Sequence, residues 1–244
     1  MNDLMTKSLA QIVSSNHRAA TVFEKYHLDF CCKGKRTLKQ ACAEGDLKIE
    51  EVLTDLEVIS EIDSKALIDF SCLSLAPLSE YIVATHHSYV KKEMPAIMAY
   101  LQRVASKHGD RHPEMLKVLE LFAAVKEEME QHMQKEELVL FPRITAIEKR
   151  VTEGNEIRLN FTYLQSPITM MEQEHDHAGR LLEDIRLLTN DYNPPADACT
   201  TYRLSFAALK AFETDLHQHV HLENNILFPK ALKLFGMPNQ CSLN

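Results

Sequence analysis

The 244-residue chain carries 27 Lys and Arg against 35 Asp and Glu, a formal charge of -8 and a pI near 5.8, so it lacks the basic field that phosphate backbones demand and nucleic acid is set aside as a partner. With 45% hydrophobic residues it can bury a core, and only six Gly, nine Pro and no Trp predict an all-α protein of one large or two unequal domains. No stretch approaches ~18 uninterrupted apolar residues, and six Cys without regular spacing do not read as a secreted disulfide framework, so a cytoplasmic protein with no membrane span is expected.

Residues 1–62 carry short amphipathic pieces, among them Ala19, Val22, Phe23 and Tyr26, then Ile49, Val52, Leu53 and Leu56, and predict a small helical domain. Cys31 and Cys32 are adjacent, with Cα atoms about 3.8 Å apart across a trans peptide, shorter than a normal disulfide span. They read either as two small buried hydrophobes or as a thiol pair that exchanges electrons or transiently holds iron. Lys33 and Lys35 would lower a nearby thiol pKa. Residues 63–77, with Ser64, Ser71 and Ser74, read as a tether.

From residue 78 to 244 the pattern changes to long helical stripes. Val83, His87, Val90, Met94, Ile97, Leu101 and Val104 alternate in steps of four and three, as do Val118, Phe122, Val125, Met129, His132, Glu136 and Val139. A third stripe runs Ile168, Met171, His175, Ala178, Leu182, Ile185, and a fourth Leu209, Phe212, Leu216, His219, Glu223, Ile226. Turns fall at Ala105 to His112, with Gly109 and then Pro113, and at Asn190 to Asp197, with Pro194 and Pro195; Arg143 to Ser166 is the longer crossover. This is an up-down four-helix bundle.

One phrase occurs twice. His132-Met133-Gln134-Lys135-Glu136 runs into Leu140-Phe141-Pro142, and His219-Val220-His221-Leu222-Glu223 runs into Leu227-Phe228-Pro229. Positions four apart share a helix face, so each phrase aims an imidazole and a carboxylate at a common point. His87 and His132 each lie roughly 30 Å from the first turn at 1.5 Å rise per residue, hence level, and His175 and His219 repeat the relation about the last turn. One inward His reads as a hydrogen-bonded core residue. Four level His beside two buried Glu read as a metal site, because an ionised carboxylate resists desolvation unless it is paired or bound to a cation.

Four imidazoles and two carboxylates exceed the donor set of a single tetrahedral ion, and two ions bridged by Glu136 and Glu223 are the economical solution. Imidazole with carboxylate, and no thiolate in the layer, suits iron or manganese, with iron the first choice. The expected ligands are His87, His132, Glu136, His175, His219 and Glu223. His108 and His112 sit too far from this layer and read as turn residues; His177 and His221, two positions from a ligand, read as solvated, and Glu128 and Glu174 as exposed acids or, alternatively, a polar shell around the metals.

The stretch from Leu75 to Phe235, with Glu174-His175-Asp176 and the His219 to Pro229 phrase, resembles the hemerythrin-like domain, whose four-helix bundle holds a non-heme di-iron site. Tyr26-His27-Leu28-Asp29-Phe30-Cys31-Cys32 with Thr37-Leu38 resembles the Cys-Cys domain that precedes such a bundle in the iron-sulfur cluster repair di-iron family. Two departures stand out. Met171 and Gly179 flank His175 where an oxygen-carrying hemerythrin has a further His, which favours reactivity or iron release over oxygen carriage, and Lys33-Gly34 replaces the Gly-Gly common after the Cys pair.

The resemblance implies repair of iron-sulfur clusters damaged by nitrosative and oxidative stress, with Cys31 and Cys32 in redox or iron transfer, damaged iron-sulfur proteins as clients, and nitric oxide or oxygen as small ligands. Alternative functions are nitric oxide reduction at the di-iron centre and oxygen or nitric oxide sensing; a homodimer is among the assembly states left open.

Overall fold

Ser8 and Thr37 start helices by the same device. Each side-chain hydroxyl accepts the backbone N–H three residues on, from Gln11 and Gln40, whose side chains return the bond, and a bridge ties Ser8 to Thr37. The computed structural model describes residues 2–61, 69–155 and 162–236. In the first stretch lie α1 (Asn2–Thr6), α2 (Leu9–Ser15), α3 (Ala19–Lys25), α4 (Leu38–Glu44) and α5 (Ile49–Glu61). The loop between α3 and α4 carries Cys31 and Cys32. Only glycine fits at its position 34, since a Cβ there would lie 2.2 Å from the Phe30 carbonyl oxygen.

Of the expected tether, residues 63–68 fall outside the described residues. Residues 69–77 are packed on the bundle: Lys230 donates to the Ser71 and Leu73 carbonyls, Glu148 accepts the backbone N–H groups of Leu75 and Ala76, and Leu75 is buried. They do not form a free linker.

The bundle helices are α6 (Leu75–Ile82) continuing into α7 (Ser88–His108), α8 (Glu114–Lys135) into α9 (Phe141–Thr152), α10 (Thr162–Leu188), and α11 (Thr200–Leu222) into α12 (Phe228–Gly236). Three of these rods are joined by a π turn, at Val83–His87, Glu136–Leu140 and Glu223–Leu227. Helix α7 packs on α8 and α11, and α8 on α10. The predicted turns close the far end, where His112 Nε2 meets Asp197 at 3.1 Å and the rings of His108 and His112 edge onto Tyr202. His108, the last residue of α7, lies at this far end beside the turn.

Two apolar clusters flank the ligand layer. One joins the front domain to the turn end of the bundle, through residues such as Phe23, Phe30, Phe122 and Phe212. The other holds α6, α9 and α12 against the start of α10, through Leu78, Ile144, Ile168 and Phe228. No helix among the described residues is long and apolar enough to cross a membrane.

Candidate metal centre

The π turns explain why these ligand pairs are followed by Leu-Phe-Pro. In an unbroken α-helix, Pro142 and Pro229 would press their rings on the carbonyls of Leu138 and Asn225, four residues back. A π turn inserts one residue into the rod and removes that clash, and such turns occur frequently at functional sites. It also shifts register. Val139, read above as an inward residue, is 41% exposed, and Leu140 takes the buried position instead. The same effect at Val83–His87 turns two consecutive side chains inward, so His86 is buried beside His87.

All six singled-out side chains converge, each at most 1% exposed. They form two tetrads: His87, Glu136, His219 and Glu223, and His132, Glu136, His175 and Glu223. Both carboxylates belong to both. His87 Nε2 and His219 Nε2 are 3.2 Å apart, and His175 Nε2 and His132 Nε2 3.0 Å. Glu136 Oε2 lies 3.3 Å from His87 Nε2 and 3.2 Å from His132 Nε2, yet neither contact is aligned as a hydrogen bond. Glu136 Oε1 and Glu223 Oε2 are likewise buried without a hydrogen-bond partner. Three buried carboxylate oxygens left unpaired among crowded imidazole nitrogens are what a cation would satisfy, so the residues present fit a metal site.

The charges agree. Burial pushes both Glu136 and Glu223 toward protonation, and the Glu223 charge adds to it at Glu136, but the surrounding imidazoles win and both are held below the ordinary carboxylate range, Glu223 well below it. Burial pulls His132 down, but Glu136, with help from Glu174 and Glu223, raises it to about 10. An imidazolium supplies the positive charge that two buried carboxylates require.

Three of the four imidazoles are braced at Nδ1: His87 by Glu137 at 2.7 Å, His132 by Glu174 at 2.9 Å and His175 by Asn224 at 2.9 Å. His219 Nδ1 is buried without a partner. Glu174 is therefore not an exposed acid but part of the polar shell, and the His132 and Lys135 contacts hold it down to about 2. Glu128 instead pairs with the exposed His177 at 3.2 Å.

His221 corrects another expectation. It is 3% exposed, with Nε2 3.4 Å from Ser14 Oγ and its ring against Phe30, and burial depresses its basicity to about 4. The front domain is what covers it. His217 joins the same interface through Glu24 at 2.6 Å, and Asn225 donates to the carbonyls of Phe30 and Cys31. Cys31 corrects a third: the neighbouring Cys32 thiol and burial raise its pKa well above the usual thiol value, overriding Lys33 and Lys35.

Sequence reasoning also missed His86, whose Nδ1 meets Asp215 Oδ1 at 3.0 Å and whose ring stacks on His219 at 5.7 Å. The paired Pro142 and Pro229 were the signal for irregular turns. Met171 is buried one turn before His175, while a Cβ on Gly179 would meet nothing within 4 Å. Neither supplies a nitrogen donor.

Residues 79–231 match the hemerythrin HHE cation binding domain, and residues 5–60 match ScdA_N, a domain of unknown function (DUF542). Across nearly the whole chain there are similar proteins named iron-sulfur cluster repair protein YtfE. The one from Pectobacterium atrosepticum is 36% identical, covering 93% of this chain and 97% of its own length. That from Musicola paradisiaca is 36% identical over 93% and 96%, and that from Escherichia coli O17:K52:H18 33% identical over 92% and 96%.

Proposed function

The chain belongs to the YtfE-type iron-sulfur cluster repair proteins, built from an ScdA_N domain and a hemerythrin HHE domain, and from that membership we propose that it repairs clusters damaged by nitrosative and oxidative stress by supplying or handling iron. The observation that carries this reading is the pair of buried tetrads sharing Glu136 and Glu223. In this reading His87 and His219 would hold one iron and His132 and His175 the other, with Glu136 and Glu223 available to both. Bound there, the iron pair supplies one-electron chemistry and open positions for a diatomic ligand such as nitric oxide or oxygen.

The chain's own side chains do the rest. Glu137, Glu174 and Asn224 fix the ring orientations of three donors, and the two apolar clusters keep bulk water from the layer. Cys31 and Cys32, docked by Asn225 beside the turn that starts at Glu223, offer the sulfur that the ligand layer lacks for passing iron to a sulfur-rich client. This reading divides the chain into a Cys-Cys domain over residues 1–62, a connection over 63–77 whose residues 69–77 rest on the bundle, and the bundle over 78–244.

The test is reconstitution: the iron-loaded chain restores activity to a nitric-oxide-damaged iron-sulfur enzyme, and the iron-stripped chain does not. Equal recovery with the stripped chain overturns iron supply. A second reading, reduction of nitric oxide at the same centre, is favoured by Met171, which leaves one nitrogen donor fewer than an oxygen carrier has. Sustained nitrous oxide formation with no iron leaving the protein would select it.

A further inference from the structure

The loop between α3 and α4 is fixed by Asp29. Its Oδ1 accepts the backbone N–H groups of Cys31 at 3.2 Å, Cys32 at 2.9 Å and Lys33 at 3.2 Å, and faces Cys31 Sγ at 3.3 Å. The two Sγ atoms stand 3.8 Å apart. One donor atom from each of Asp29, Cys31 and Cys32 lies within 4.8 Å of the others. Two carbon-bound sulfurs and a clamped carboxylate thus converge on one point, outside the bundle's ligand layer.

The spacing has a specific meaning. Two thiolates on one tetrahedral ion at ~2.3 Å lie about 3.8 Å from each other, and a thiolate and a carboxylate oxygen at ~2.0 Å lie about 3.5 Å apart. The observed 3.8 and 3.3 Å reproduce the first edge and shorten the second by an amount that closes one angle by about 10° from tetrahedral. Simple loop capping accounts for the Asp29 bonds to N–H groups. With the Cys31 thiol donating to Oδ1, it does not account for the Cys32 sulfur also lying within 4.8 Å of both that oxygen and the Cys31 sulfur.

We propose that Asp29, Cys31 and Cys32 form a second, mononuclear metal site for a borderline-soft divalent cation of the Fe2+ and Zn2+ class, held by two thiolates and one carboxylate with a fourth position open. This deepens the repair reading and rests on it for a role in transfer, though the binding itself does not. Binding displaces two protons: the cation and two thiols give the dithiolate complex, and both protons go to solvent. Without the cation the Cys31 thiol keeps its proton, because Cys32 and burial raise its pKa. Arg36, donating to the Asp29 carbonyl at 3.4 Å, offsets part of the single negative charge left on the complex. Cys31 is buried while Cys32 and Asp29 are half-buried, so the open position faces outward, where a client's sulfur can complete the set. Asn225, bonded to the Cys31 carbonyl at 2.9 Å, holds the site on the bundle.

The test uses the full, iron-loaded chain, reduced and anaerobic, titrated with Co2+ while bundle iron is monitored. One equivalent should bind with a thiolate-to-cobalt charge-transfer band in the near ultraviolet, be displaced by Zn2+, and leave bundle iron unchanged. Cys32→Ser should abolish the band. Asp29→Asn is isosteric and keeps an oxygen for the three backbone N–H groups, so the loop persists while Kd rises about a hundredfold, at or beyond what loss of an outer-shell partner costs. No band in a protein whose two thiols still titrate, or unchanged affinity in Asp29→Asn, overturns the site. The two readings fail separately: cobalt binding with full repair by Cys32→Ser would retire the transfer role and leave the site, whereas no binding with lost repair in Cys32→Ser would retire the site and leave the thiols a redox role.

Discussion

Replacing Glu174 by Ala removes the carboxylate that accepts His132 Nδ1 at 2.9 Å, while leaving all six donors of the two tetrads in place. Loss of such an outer partner costs about 10–100-fold in metal affinity, or about 1.4–2.7 kcal/mol. Glu174 is only 17% exposed, so solvent screens it little, and the cost belongs toward the upper end. Glu174→Gln retains an oxygen that can accept from Nδ1 but loses the charge, which places it near tenfold. Asn224→Ala removes a neutral partner of His175 and should cost less than Glu174→Ala. His177→Ala, on the exposed side, should cost nothing. The assay is competition for ferrous iron against a chelator of known affinity, run beside thermal unfolding of the iron-free proteins, because Glu174 also pairs with Lys135. Affinity of Glu174→Ala within twofold of the parent, or a larger loss in Asn224→Ala, would refute the bracing argument.

Glu136→Leu and Glu223→Leu should each lose iron together with the near-ultraviolet absorption of a bridged ferric pair, whereas His108→Ala, which touches only the turn and Tyr202, should keep two irons per chain by metal analysis. Phe30→Ala should lower the denaturation free energy by about 3–5 kcal/mol in a urea titration, since this ring is 1% exposed and fills the interface with His217 and His221. A fragment beginning at Ser64 should still bind two irons yet melt about 10 °C lower than the full chain, because that interface is uncovered; loss of iron from the fragment would show that the front domain shapes the centre. Cys31→Ser with Cys32→Ser should keep bundle iron and lose cluster repair in the reconstitution assay, and full repair would reduce the pair to a structural role.

The bundle was legible in the sequence because its message is periodic. Four stripes of alternating step fixed which faces are buried, Gly109 and Pro194 fixed the turns, and two repeats of His-x-x-x-Glu fixed the layer. Periodicity fails where the period changes. A π turn puts Val139 outside and His86 inside, and a constant helical step cannot anticipate either, although prolines at matched distances from both ligand pairs marked the disturbance. Tertiary packing accounts for the other misses. His221 is buried by Phe30 and Ser14, 191 and 207 positions earlier in sequence, and Glu174 turns toward His132 on another helix. The Cys31 thiol depends on enclosure and on Cys32, which outweigh the lysines beside it in sequence.

Sharing Glu136 and Glu223 between both tetrads leaves the layer short of negative charge. With four neutral imidazoles, the two carboxylates supply a charge of -2 for two divalent ions. With two divalent ions as proposed, the first to enter would meet the full complement, and the second would enter a pocket already neutralised and be repelled by its predecessor. Stepwise loading would then be anticooperative, with the second equivalent held more weakly. In the iron-supply role proposed above, this inequality would let one ion stay in the layer while the other is handed on.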